Sequence, residues 1–102
     1  MPLCLLKLIM KINAAIQLLP LKTSDERYSV IDKAIALIQN SRLHYKVCPF
    51  ETVVEGSSEA VYQLIRQIQE ETLKNNCDEL ILNIKIHAAN RDLSFEEKLE
   101  KY

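Results

Sequence analysis

Leu80-Ile81-Leu82-Asn83-Ile84-Lys85-Ile86-His87 is the stretch on which the fold turns. Leu80, Leu82, Ile84 and Ile86 fall on one side of an extended chain, and Ile81, Asn83, Lys85 and His87 fall on the other. Successive strand side chains point to opposite faces, so this alternation predicts a strand with one covered face and one open face. Residues 11–19 repeat the pattern, with Ile12, Ala14, Ile16 and Leu18 opposed to Asn13, Ala15 and Gln17. Pro20 has no N–H to donate and is expected to end that strand.

Working inward, residues 25–40 read as a helix. Thr23 and Glu26 have the spacing of a capping box, and Ile31, Ala34, Ile35 and Ile38 form one apolar stripe. Asn40 is expected to close it, because Asn tolerates the left-handed conformation that helix ends often need. Residues 43–48 and 52–55 read as two short strands around a tight Pro49-Phe50-Glu51 turn. Gly56, the chain's single glycine, sits where the strand gives way to Ser57 and Ser58, either of which can cap a second helix over residues 59–75. That helix carries Val61, Leu64, Ile65 and Ile68 on one face and Gln63, Arg66, Gln67 and Glu70 on a solvated one. A short helix from Ser94, capped against Glu97, completes the chain.

The order β-α-β-β-α-β predicts an α+β, ferredoxin-like sandwich. Its four-stranded antiparallel sheet carries two helices on one face, with a short C-terminal helix in addition. The other sheet face then bears Asn13, Gln17, Asn83, Lys85 and His87, with Ala15 and Ile81 among them. Apolar residues in that company call for partial cover, so a homo-oligomer is expected.

Composition narrows the function. The chain has 102 residues, 48% of them apolar and 26% charged, enough for one domain over residues 10–102 behind an extension of residues 1–9. The apolar run from Pro2 to Ile9 has no charge before it, is broken by Lys7, and falls short of the roughly 20 residues that span a bilayer. No targeting segment or membrane helix is read there, and the cytoplasm is the expected location. A net charge of −1 gives no general attraction to nucleic acid or to anionic membranes. Cys4, Cys48 and Cys77 include no CxxC pair, and His44 and His87 have no metal-ligand spacing. One glycine cannot build a dinucleotide or phosphate loop. The first and last strands carry no aromatic residue on which RNA bases would stack. The sequence therefore offers no catalytic residue and no metal site, and it reads as a binding protein rather than an enzyme.

Two segments, Pro20-Leu21-Lys22-Thr23 and Pro49-Phe50-Glu51-Thr52, share a Pro-x-x-Thr pattern after a strand. Together with Thr52-Val53-Val54-Glu55-Gly56, the strand Leu80–Ile86, Arg91 and Phe95-Glu96-Glu97-Lys98, they resemble the small thiamine-binding protein family from about Met10 to the C-terminus. The resemblance implies a ferredoxin-like fold, assembly into dimers and tetramers through the sheets, and binding of thiamine or its pyrimidine moiety as ligand. The family usually has glycine where Lys22 and Glu51 stand, and tends to have it near Arg42 and Asn76, so both turns are expected to be reshaped here.

Thiamine joins an aminopyrimidine to a fixed thiazolium cation, so its binder wants carboxylate or amide partners and an aromatic or apolar wall. Gln17, Thr23, Thr52, Glu55 and Asn83 are the expected ligand-binding residues, with Phe50 or Tyr45 as the wall. The function expected is non-catalytic binding by a carrier, buffer or sensor. The alternative is a regulatory or scaffolding module that uses the same fold for protein contacts.

Overall fold

A computed structural model describes residues 10–102, and the extension expected over residues 1–9 lies outside them. The elements run β1 (Lys11–Thr23), α1 (Arg27–Asn40), β2 (His44–Val47), β3 (Thr52–Ser57), α2 (Ser58–Lys74), β4 (Cys77–His87) and α3 (Phe95–Leu99). The strands form one sheet in the order β2-β3-β1-β4, every neighbouring pair antiparallel. This is the ferredoxin-like arrangement expected from the sequence.

Alternation sets the two faces. Ile12, Ala14, Ile16 and Leu18 of β1 stand opposite Ile86, Ile84 and Leu82 of β4 and Gly56, Val54 and Thr52 of β3. These residues meet Val30, Ala34 and Ile38 of α1 and Val61, Leu64 and Ile68 of α2 in one core. The helical stripes are rotated slightly from the sequence reading. Val30 joins the buried face of α1 while Ile31 and Ile35 are half-buried, and on α2 Ile65 is half-buried while Thr72 is buried. Gly56 lies inside β3 and not at its end. An added Cβ there would meet Leu43 Cδ2 at 2.6 Å, so the bare backbone makes room for Leu43.

Pro20 does not end the first strand. β1 continues to Thr23, with register shifts on either side of Lys22. The reason is pairing: β3 accompanies β1 only from Lys11 to Ile16, and beyond that β4 is its one strand partner among the described residues. A proline is tolerated where a strand has a neighbour on one side only. Lys22 is accordingly a strand residue that faces Glu79 across the ladder and pairs with it at 3.7 Å.

The expected capping box is also absent. Glu26 is the N-cap of α1 and makes no side-chain cap. The Thr23 hydroxyl instead donates to Asn76 O at 2.8 Å and accepts from Asp25 N at 3.1 Å, closing the loop between β1 and α1. Ser57 caps α2 by accepting from Ala60 N, and Ser94 caps α3 by accepting from Glu97 N. Left-handed backbone falls at Arg42 and Asn76, just past the ends of α1 and α2, and not at Asn40, Lys22 or Glu51.

The C-terminal segment folds back against the open face. Leu93 N donates to Lys11 O, and Phe95 N donates to Glu55 Oε1 at 2.8 Å. A carboxylate at the first amide of a helix is favourably placed against its unsatisfied N–H groups. The Phe95 ring lies 5.2 Å from that of His44 on β2.

Ile68 is fully buried between α2 and the sheet. Ile68→Ala should cost about 2–5 kcal/mol in urea melts. Gln67→Ala, one residue away on the exposed face, should change stability by less than about 0.5 kcal/mol.

Candidate functional site

Because β1 outruns β3, its edge from Gln17 onward has no strand beside it among the described residues. The β2–β3 turn ends next to that edge, held by a hydrogen bond from Cys48 N to Glu51 O at 2.9 Å. The first half of α1 passes over the same region. Between them is a cleft of about 400 Å³, lined by apolar residues of β1 and α1 together with Gln17, Tyr28, Asp32, Phe50, Glu51 and Thr52. That volume falls in the range of small-molecule sites, which are mostly apolar with a few convergent polar groups. Tyr28 and Phe50 are both exposed at its mouth, while Thr52 is buried, on the helix-facing side of the sheet. Among the described residues, the cleft lining holds two carboxylates and no lysine, arginine or histidine.

The five residues expected from the sequence do not gather in one place. Thr52 and Gln17 line the cleft. Asn83 stands beside them on the open face, where its Nδ2 donates to Gln17 Oε1 at 3.1 Å, and both border a shallow hollow with Phe50 and Glu51. Thr23 lies at the far end of β1, engaged with the backbone of Asn76 and Asp25. Glu55 lies near the other end of the sheet, where it holds the start of α3 and also accepts from Asn13 Nδ2 at 3.4 Å. Of the two expected walls, Phe50 lines the cleft, whereas Tyr45 packs against the core.

Asp32 and Tyr28 are the cleft residues that the sequence reading did not single out. They are four residues apart on α1, hence on one face, and next to the half-buried Ile31 and Ile35. That adjacency to the apolar stripe was the available signal.

A second hollow, about 410 Å³, lies under α3 on the open face. It is lined by Ala15, Val53, Ile86, Phe95 and Leu99, with Lys46, Lys85, Lys98 and His87 around them. No carboxylate lines it. Partial burial lowers the pKa of the Lys98 ammonium, with Glu55 raising it and Arg91 lowering it further. Asn13 also borders this hollow, and its buried Oδ1 has no hydrogen-bond partner among the described residues. Among those residues there is no group of three or more side chains suited to a metal ion, and no helix is long and apolar enough to cross a membrane.

Comparison with known proteins agrees with the fold. A UPF0045 protein of Clostridium perfringens is 28% identical over 90 residues, covering 88% of this chain and 95% of its own. The structure of a domain of unknown function, DUF77, from Bacillus cereus superposes with a TM-score of 0.87 at 28% identity, over 92% of this chain and 91% of that one. A Thermotoga maritima protein, provisionally assigned to thiamine biosynthesis or salvage, superposes with a TM-score of 0.82 at 26% identity, over 90% and 98% of the two chains. The family model described as thiamine-binding protein matches residues 14–102. With the fold, the sequence signature and this match in agreement, the chain belongs to the thiamine-binding protein family.

Proposed function

We propose that this chain binds thiamine, or its aminopyrimidine moiety, in the cleft between α1 and the β2–β3 turn, without transforming it. The observation that carries the reading is the cleft's lining: Asp32 and Glu51 with no cation among its described residues, Tyr28 and Phe50 at the mouth, and the free edge of β1 alongside. The thiazolium is a permanent cation, suited to carboxylates and to aromatic faces. The aminopyrimidine has one exocyclic donor and ring acceptors, the complement of an exposed strand edge that presents N–H and C=O groups. Gln17 and Thr52 add side-chain partners, and Asn83 fixes the Gln17 amide by donating to its oxygen. Carrier, buffer or sensor are the roles such a site serves.

The protein is proposed to act as a homo-oligomer in the cytoplasm. Leu19 and Ile81, a facing pair on the open side of the sheet, are both exposed, as apolar surface awaiting a second copy would be. The free thiols of Cys48 and Cys77 suit a reducing compartment.

Calorimetric titration with thiamine tests the site. Glu51→Gln should weaken binding roughly ten- to a hundredfold, since a charge-assisted contact is worth about 1.5–3 kcal/mol. Thr52→Val should cost less, because it removes one neutral partner. Glu55→Gln should lower the melting temperature by loosening α3 and leave affinity within about twofold. Failure of the wild type to bind thiamine or its pyrimidine half at millimolar ligand would contradict the reading.

Light scattering coupled to size exclusion tests assembly. The expected mass at micromolar concentration is that of a dimer or tetramer of the 11.8 kDa chain. A monomer mass at every concentration would refute it.

A further inference from the structure

We infer that the hollow under α3 is a second ligand site, and that it takes a small carboxylate whose apolar body also carries a hydrogen-bond donor. The site is separate from the cleft and does not depend on what the cleft binds. Its floor is set by strand register. Lys46 of β2 faces Val53 of β3, Val53 faces Ala15 of β1, and Ala15 faces Lys85 of β4. One row across the sheet thus has an apolar middle and a lysine at each end. Three strand spacings of about 4.8 Å put the two lysine backbones roughly 14 Å apart. Each side chain can lay its methylene stem along the floor and bring its ammonium toward a head group over the middle of the row. α3 closes one side, with Phe95 and Leu99 in the wall and Lys98 beside them.

Charge and one unmet polar atom define the occupant. Lys46, Lys85 and Lys98 form no ion pair among the described residues, and no described carboxylate lines the hollow. The described lining also has no arginine and no glycine, so it lacks the forked donors and bare backbone common in phosphate sites, and a carboxylate is the better match. The second feature is Asn13, which is only 5% exposed and borders the hollow. Its Nδ2 donates to Glu55 Oε1 at 3.4 Å, and its buried Oδ1 has no partner among the described residues. An unmet buried acceptor is costly, and a ligand hydroxyl or N–H would satisfy it. Glu55 itself is engaged by the Phe95 amide and is not among the lining residues. Burial lowers the pKa of the Lys98 ammonium, and a bound anion would offset that cost.

Titration calorimetry of the full chain with 2-naphthoate and 2-naphthylmethylamine, which share one aromatic body and differ in charge, tests the site. The naphthoate should bind at least about tenfold more tightly, by a margin that shrinks as salt is added. Lys46→Gln/Lys85→Gln should cut that margin below about threefold, and Ala15→Phe, which fills the floor, should abolish naphthoate binding. Among 5-, 6- and 7-hydroxy-2-naphthoate, at least one should gain about threefold over the parent acid, and Asn13→Ala should erase the gain. If Asn13→Ala melts early by circular dichroism, the lysine pair and Ala15→Phe carry the test. Excess thiamine should leave naphthoate binding unchanged, because a cation has no place among these charges. Equal binding of acid and amine, or binding of neither at millimolar concentration, would overturn the inference. Naphthoate binding that survives Ala15→Phe would overturn it as well, since the ligand would then lie elsewhere. So would light scattering in which Ala15→Phe alone splits an oligomer while naphthoate does not bind the wild type, since a second copy of the chain would then fill the hollow.

Discussion

The 13 residues of β1 are the constraint on which the rest of the molecule depends. β1 lies inside the sheet, yet β3 has only 6 residues and accompanies just its first half. A strand edge left open presents backbone donors and acceptors that must find partners, and the open stretch here begins where the core is still thick. The β2–β3 turn and α1 close over that stretch without filling it. The cleft is thus a by-product of unequal strand lengths, and the same inequality explains how Pro20 sits within a strand. Shortening β1 or lengthening β3 would remove the free edge and the cleft with it.

Two hollows of similar size flank β1, and their chemistry is opposite. Among the described residues, the cleft is lined by carboxylates without cations, and the hollow under α3 by lysines and a histidine without carboxylates. A thiazolium is attracted to the first and repelled by the second. Glu55 lies near the second hollow but is occupied by the amides of Phe95 and Asn13. Those hydrogen bonds tie Glu55 to the start of α3, away from the cleft.

Most of the fold was legible because period-2 alternation in residues 11–19 and 80–87 is strict, and hydrophobic burial rewards only one register. What the sequence misplaced has specific causes. Pro20 was read as a terminator because pairing on one side only is a tertiary fact that no local pattern reveals. Thr23 was read as half of a capping box, but its hydroxyl is drawn to Asn76, 53 residues away. The left-handed residues at Arg42 and Asn76 sit past the ends of α1 and α2, and not at the Asn40 that was expected to mark the first of them. Of the residues in and beside the cleft, Gln17, Thr52, Phe50 and Asn83 were legible as residues of a turn and an open face. Asp32 and Tyr28 were not, because a charged residue beside an apolar helical stripe reads as solvated until the neighbouring turn is seen to close over it.

The most direct test of the account is a crystal structure of the protein grown with thiamine. The account predicts ligand density between α1 and the β2–β3 turn, with the aminopyrimidine against the free edge of β1 and the thiazolium near Asp32 and Glu51. Density confined to the hollow beneath α3, among Lys46, Lys85 and Lys98, would contradict it.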